Sequence, residues 1–177
     1  MTHKSVGTFF AAIPILWATA TYGQALSTDR FSQHFDPARG VVLQGSAGQE
    51  VAEMCGASPK SKGWEVAASD IATLEQQLEP LLAADLINTG SKELPRQYYR
   101  QYATGRLNRY HAIFVNGFHE EYLSGTADKS SWRHSAVGVS DGGEEYWCAI
   151  YIKETNQFVR YKGNSFGGKY VLFHGVA

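Results

Sequence analysis

The hydrophobic period changes once along this chain, and that change restricts the fold more than any other feature. From Ser69 onward Ile71, Leu74, Leu78, Leu81, Leu82 and Leu86 recur at helical spacing. That spacing gathers them on one face of an amphipathic helix, with Ser69 or Asp70 suited to its N-cap and Gly90 to its stop. Pro80 lies inside the pattern, where its ring removes the bond to the Gln76 carbonyl and predicts a kink or two helices. Glu75, Gln76, Gln77 and Glu79 occupy the opposite face without a basic residue. The apolar stripe therefore reads as core-facing and not as a surface for anionic lipid.

From His111 the period becomes two. The segments 111–118, 136–139, 145–152, 157–161 and 169–173 are rich in aromatic and β-branched residues and read as strands. Asp141-Gly142-Gly143 and Glu154-Thr155-Asn156 are hairpin-type connectors, so consecutive strands should pair antiparallel. A second, shorter helix is expected over 94–102, with Pro95 in its first turn and Tyr98 and Tyr102 on one face. The resulting fold class is α+β: an antiparallel sheet of about five strands with an amphipathic helix packed on one face. Its core face should include Ile113, Val115, Val137, Val139 and Ile150 or Trp147. The aromatic residues exceed what one inner face needs. The second face is therefore either open for recognition, or covered by the loop from Leu26 to Gly63 or by the helix.

Residues 1–25 read as a secretory signal peptide: Lys4 leads an apolar stretch from Val6 to Ala20, and Gly23-Gln24-Ala25 offers a small-x-small cleavage site. Pro14, Thr19 and Thr21 interrupt a run already shorter than a membrane span needs. No integral span follows the signal, and the expected location is periplasmic or secreted. Cleavage leaves 177 − 25 = 152 residues, a common size for one domain. Residues 26–63 are loop-rich, with a short strand at Val41-Val42-Leu43, and 64–177 form a single α+β domain. The mature balance of 15 basic and 17 acidic groups, after loss of Lys4 from 16, is interspersed in sign. The densest basic segment, Arg96 to Arg109, is diluted by tyrosines and reads as a solvated face, so no nucleic-acid partner is expected. Cys55 and Cys148 are an even count in an oxidising compartment, which suits a disulfide, although two separate thiols satisfy the same count.

Few residues point to chemistry. His111 and His119 share a strand face beside Glu120 and Glu121, but eight residues at about 3.3 Å each would hold their rings roughly 26 Å apart. No His-Glu-x-x-His or clustered Cys/His spacing occurs, so no metal and no cofactor is expected. A Gly-x-Ser-x-Gly elbow is absent, and Gly142-Gly143 and Gly167-Gly168 do not open a helix after a parallel strand. The catalytic candidates are His111, His119, Glu120 and Asp141. The binding candidates are Tyr99, Arg100, Tyr102, Trp132 and Trp147, since aromatic residues with Arg are favoured at protein interfaces.

The order of Tyr99-Arg100-Gln101-Tyr102-Ala103, Ile113-Phe114-Val115-Asn116-Gly117-Phe118, Trp132, Asp141-Gly142-Gly143 with Tyr146-Trp147, and Gly175-Val176-Ala177 resembles a family of small exported bacterial proteins with no assigned activity. Gly63-Trp64 and the run from Ser69 to Glu75 extend the resemblance upstream. That family carries a Cys just before the Asp-Gly-Gly turn, where this chain has Ser140. Cys148 falls on the strand after the turn, a close neighbour of that site across the ladder, so it is the cysteine that a shifted pairing with Cys55 would use; the departure from the family leaves the disulfide open. It brings no activity. The residues favour a non-catalytic binding protein, of inhibitor or immunity type, whose partner is another exported protein. An envelope-associated hydrolase is the alternative.

Overall fold

The computed structural model describes residues 36–57, 63–88, 92, 95–138, 145–163 and 171–172. The signal segment, Gly90, Val139, Asp141 and the Asp-Gly-Gly turn lie outside them. The elements run β1 (Gly40–Val42), α1 (Gly45–Met54), α2 (Ala68–Asn88), β2 (Tyr98–Leu107), β3 (Tyr110–His119), β4 (Tyr146–Ile152), β5 (Gln157–Gly163) and β6 (Val171–Leu172). All six strands form one sheet in sequence order. The α+β class holds. The sheet is mixed and not purely antiparallel, because β1 pairs parallel with β2, Gly40 opposite Arg100 and Val42 opposite Tyr102. A parallel pair needs a long crossover, and here it carries both helices.

Those helices cover opposite faces, since alternate residues of each strand point to opposite sides. Leu74, Leu78, Leu82 and Leu86 of α2 pack with Tyr98, Tyr102, Ile113, Val115, Trp147 and Tyr161. Val51, Ala52 and Cys55 of the α1 region pack with Ala103, Ala112, Phe114, Cys148 and Ile150 on the other face. Ile113, Val115 and Trp147 thus share the α2 side as expected, whereas Ile150 belongs to the α1 side. The second face is closed, not open. The Cys55–Cys148 disulfide joins α1 to β4, with Cα atoms 5.2 Å apart.

Five local expectations need correction. Residues 45–54 of the segment expected to be loop-rich form α1. Residues 94–102 do not form a helix: Pro95–Gln97 is a single 3₁₀ turn and Tyr98 begins β2. Residues 136–138 are not a strand. The backbone of Val137 instead meets buried side chains, donating to Gln101 Oε1 at 2.9 Å and accepting from Asn116 Nδ2 at 2.9 Å. Across Pro80 the chain forms one helix, α2, and not two. The Leu stripe and two buried polar pairs hold it against the sheet, offsetting the lost backbone bond. Glu75 does not lie on the solvated face expected for it: it is buried and accepts from the Tyr102 hydroxyl at 2.6 Å, and Asp85 accepts from Tyr161 at 2.7 Å.

Leu78→Ala should lower stability by about 3 kcal/mol, because the side chain is fully buried and its removal leaves a cavity. Gln76→Ala, on the exposed side of the same helix, should be within about 0.5 kcal/mol of wild type. Urea titrations of the two variants check the docking of α2; equal small losses would contradict it.

Candidate functional site

Between edge strand β1 and helix α2 lies a groove of about 520 Å³, a volume in the range of small-molecule and side-chain sites. Val41, Val42, Ala68, Ile71 and Ala72 form apolar walls, and Glu75, Glu79 and Tyr102 bring polar atoms to it. Val42, at 37 % exposure, is the exposed large apolar residue among the described ones. Its position follows from the register: a three-residue strand alternates inward and outward, and Val42 sits opposite Tyr102.

The floor of the groove is a buried polar cluster. Glu75 is only 6 % exposed. Its Oε1 accepts from Tyr102, and its Oε2 lies 3.2 Å from Arg100 Nε, off the N–H direction, so the contact is an ion pair more than an aligned hydrogen bond. Arg100 also donates Nη1 to the carbonyls of Tyr98 at 2.7 Å and Pro95 at 3.1 Å, and its guanidinium lies 5.7 Å from the Trp147 ring centre. Burial pushes the Glu75 carboxyl up, against the opposing pull of Arg100 and then of the Tyr102 hydroxyl. Burial likewise pushes the Tyr102 hydroxyl well above its usual range, with the Glu75 charge adding to it. Both Glu75 oxygens are thus committed within the protein, which suits a fixed dipolar floor better than a proton-transferring group.

The sequence candidates separate. His111 stands at one end of β3, its Nδ1 2.7 Å from Glu154 and its other ring nitrogen 3.3 Å from Arg106. His119 stands at the far end of β3, buried edge-on against Tyr98. Glu120 pairs with Arg39 at 2.8 Å. Asp141 lies outside the described residues. Of the binding candidates, Tyr102 lines the groove and Arg100 lies behind it. Tyr99 stacks on Phe118 and meets Trp132 edge-on. Trp132 and Trp147 are 2 % and 1 % exposed and belong to the core, not to a recognition surface. Arg100, too, leaves the solvated face expected for its segment. Trp147 lies so closely over its cross-strand neighbour that a Cβ on Gly117 would fall 2.1 Å from the indole.

Sequence reasoning missed the groove, because its two walls are brought together only by the parallel pairing of β1 with β2. The available signal was Glu75, a carboxylate one position from Leu74 that belongs to the docked side of the helix. Among the described residues, His119, Glu121 and Glu145 are brought together, with ligand atoms all within 4.8 Å of one another. No helix among the described residues is long and apolar enough to cross a membrane. Compared with protein-family models, curated proteins and solved structures, the chain finds no match.

Proposed function

We infer that this chain is a small exported, non-catalytic binding protein that engages another exported protein, in the manner of an inhibitor or immunity partner. The observation that carries this reading is the groove: apolar walls at an edge strand, over a floor whose carboxylate is already held by Tyr102 and Arg100. A partner segment in extended form can add to the outer edge of β1 by main-chain hydrogen bonds and place an apolar side chain between Val42 and Ile71. The separation of His111 from His119 and Glu120 weighs against the hydrolase alternative. The disulfide suits an oxidising compartment, and the signal-like first 25 residues support export.

Co-purification from a periplasmic extract, run in parallel with Val42→Asp, tests the reading. A stoichiometric protein partner held by wild type and lost by Val42→Asp is expected, because a carboxylate there would be desolvated on binding. A partner retained equally by both, or turnover of a cell-wall fragment by the purified chain, would overturn it.

A further inference from the structure

The end of the sheet farthest from His111 holds a second constellation. In the β3–β4 ladder Phe118 faces Tyr146, so the next antiparallel step sets His119 opposite Glu145. Immediately after β3 the chain turns into a short 3₁₀ segment, Glu120–Leu123, which swings Glu121 back toward the same point while Glu120 turns to Arg39. His119 is 3 % exposed, Glu121 is exposed and Glu145 is half-buried. An imidazole nitrogen and two carboxylate oxygens thereby converge within 4.8 Å from two stretches of the chain, the end of β3 and the start of β4.

We propose that His119, Glu121 and Glu145 form a binding site for a divalent first-row transition ion, with Zn²⁺ as its representative. One imidazole and two carboxylates are a donor set that zinc accepts, leaving a further position for water. Around an ion at about 2.0–2.1 Å the donors of a tetrahedron stand about 3.4 Å apart, so the cluster must contract. Glu121, on an exposed single turn, supplies that movement. The present contact from the Glu121 backbone N–H to His119 Nδ1, at 3.4 Å, is long and is readily given up or rearranged. Neighbouring groups already position two of the donors: Tyr122 hydrogen-bonds the Glu145 carboxylate, and Tyr98 packs edge-on against the imidazole at 5.4 Å. Such contacts orient ligands and are part of a working site. This site lies apart from the β1–α2 groove, shares no residue with it and does not rest on the binding function inferred there.

Calorimetric titration of the full chain with Zn²⁺ tests the proposal, read beside the His119 ring ¹⁵N resonances. One ion per chain is expected, with a shift of the His119 ring nitrogens at one equivalent. Glu121→Gln combined with Glu145→Gln should weaken binding about tenfold or more, and Zn²⁺ should raise the melting temperature of wild type but not of the double variant. Because Glu121 is exposed and Glu145 half-buried, these variants keep the fold intact where a substitution of His119 would not. Absence of binding, or equal affinity in the double variant with an unmoved His119 resonance, would overturn the site and assign any bound ion to another histidine.

Discussion

Glu75→Ala is expected to cost about 3 to 5 kcal/mol, the range seen when one member of a buried ion pair is removed. The carboxylate is the acceptor for the Tyr102 hydroxyl at 2.6 Å and lies 3.2 Å from the Arg100 guanidinium, and all three side chains are buried. Truncation removes that acceptor and that countercharge together and leaves a cavity under α2. Glu75→Gln keeps the acceptor and should cost less. The Glu75 carboxyl also responds to pH in a defined direction. A carboxyl whose folded pKa is raised above 4.5 stabilises the fold below that value, and the contribution is lost as pH rises through the folded pKa. Wild type should therefore lose stability relative to Glu75→Gln as pH rises above 4.5. Urea midpoints for the three proteins across that rise in pH measure both effects, and a Glu75→Ala loss below about 1 kcal/mol would show that the cluster contributes nothing to α2 docking.

Reduction of the Cys55–Cys148 bridge should lower stability by about 4 to 5 kcal/mol. The bond closes a loop with a sequence separation of 93, and in the chain-entropy account the constraint on the unfolded state grows with the logarithm of loop length. Its native geometry is easily met, because Cys55 follows α1 directly and Cys148 lies in the central part of the sheet beneath it. Paired Cys55→Ala and Cys148→Ala substitution should reproduce the loss, since both side chains are buried in the same cluster. Denaturant titration with and without reductant measures the difference. Two reactive thiols in denatured, unreduced protein would remove the bridge.

Strands β3, β4 and β5 and helix α2 were legible because their periods are unambiguous. Ile113, Val115 and Trp147 alternate correctly, and Leu74, Leu78 and Leu82 repeat at four. Helix α1 was concealed by its glycines. Gly48, Val51, Ala52 and Cys55 stand at i, i+3, i+4 and i+7, a helical stripe, yet Gly45 and Gly48 read as loop punctuation. Gly45 does start the helix from the left-handed region, at φ 59°. Gly48 serves contact instead: a Cβ there would lie 2.6 Å from the Leu43 carbonyl oxygen. The segment 98–102 failed for another reason. Residues four apart share a face in a helix and in a strand alike, so Tyr98 and Tyr102 alone do not separate the two. What decides is the alternation of Tyr98, Arg100 and Tyr102 against Tyr99, Gln101 and Ala103. It is visible only once a buried Arg is admitted on the apolar side.

By itself the amino-acid order determined the α+β class, the helix on the Leu stripe and the antiparallel β4–β5 hairpin, since each follows from a local period and from turn residues between neighbouring elements. Only the tertiary structure decided the parallel seat of β1, the closure of the second face by α1, and the meeting of Cys55 with Cys148. It also decided the groove over Glu75 and the convergence of His119, Glu121 and Glu145. These depend on contacts between residues far apart in the chain, where burial outweighs local propensity. An acid such as Glu75 or an arginine such as Arg100 is drawn inside because a partner waits there, and no period of its own sequence announces that partner.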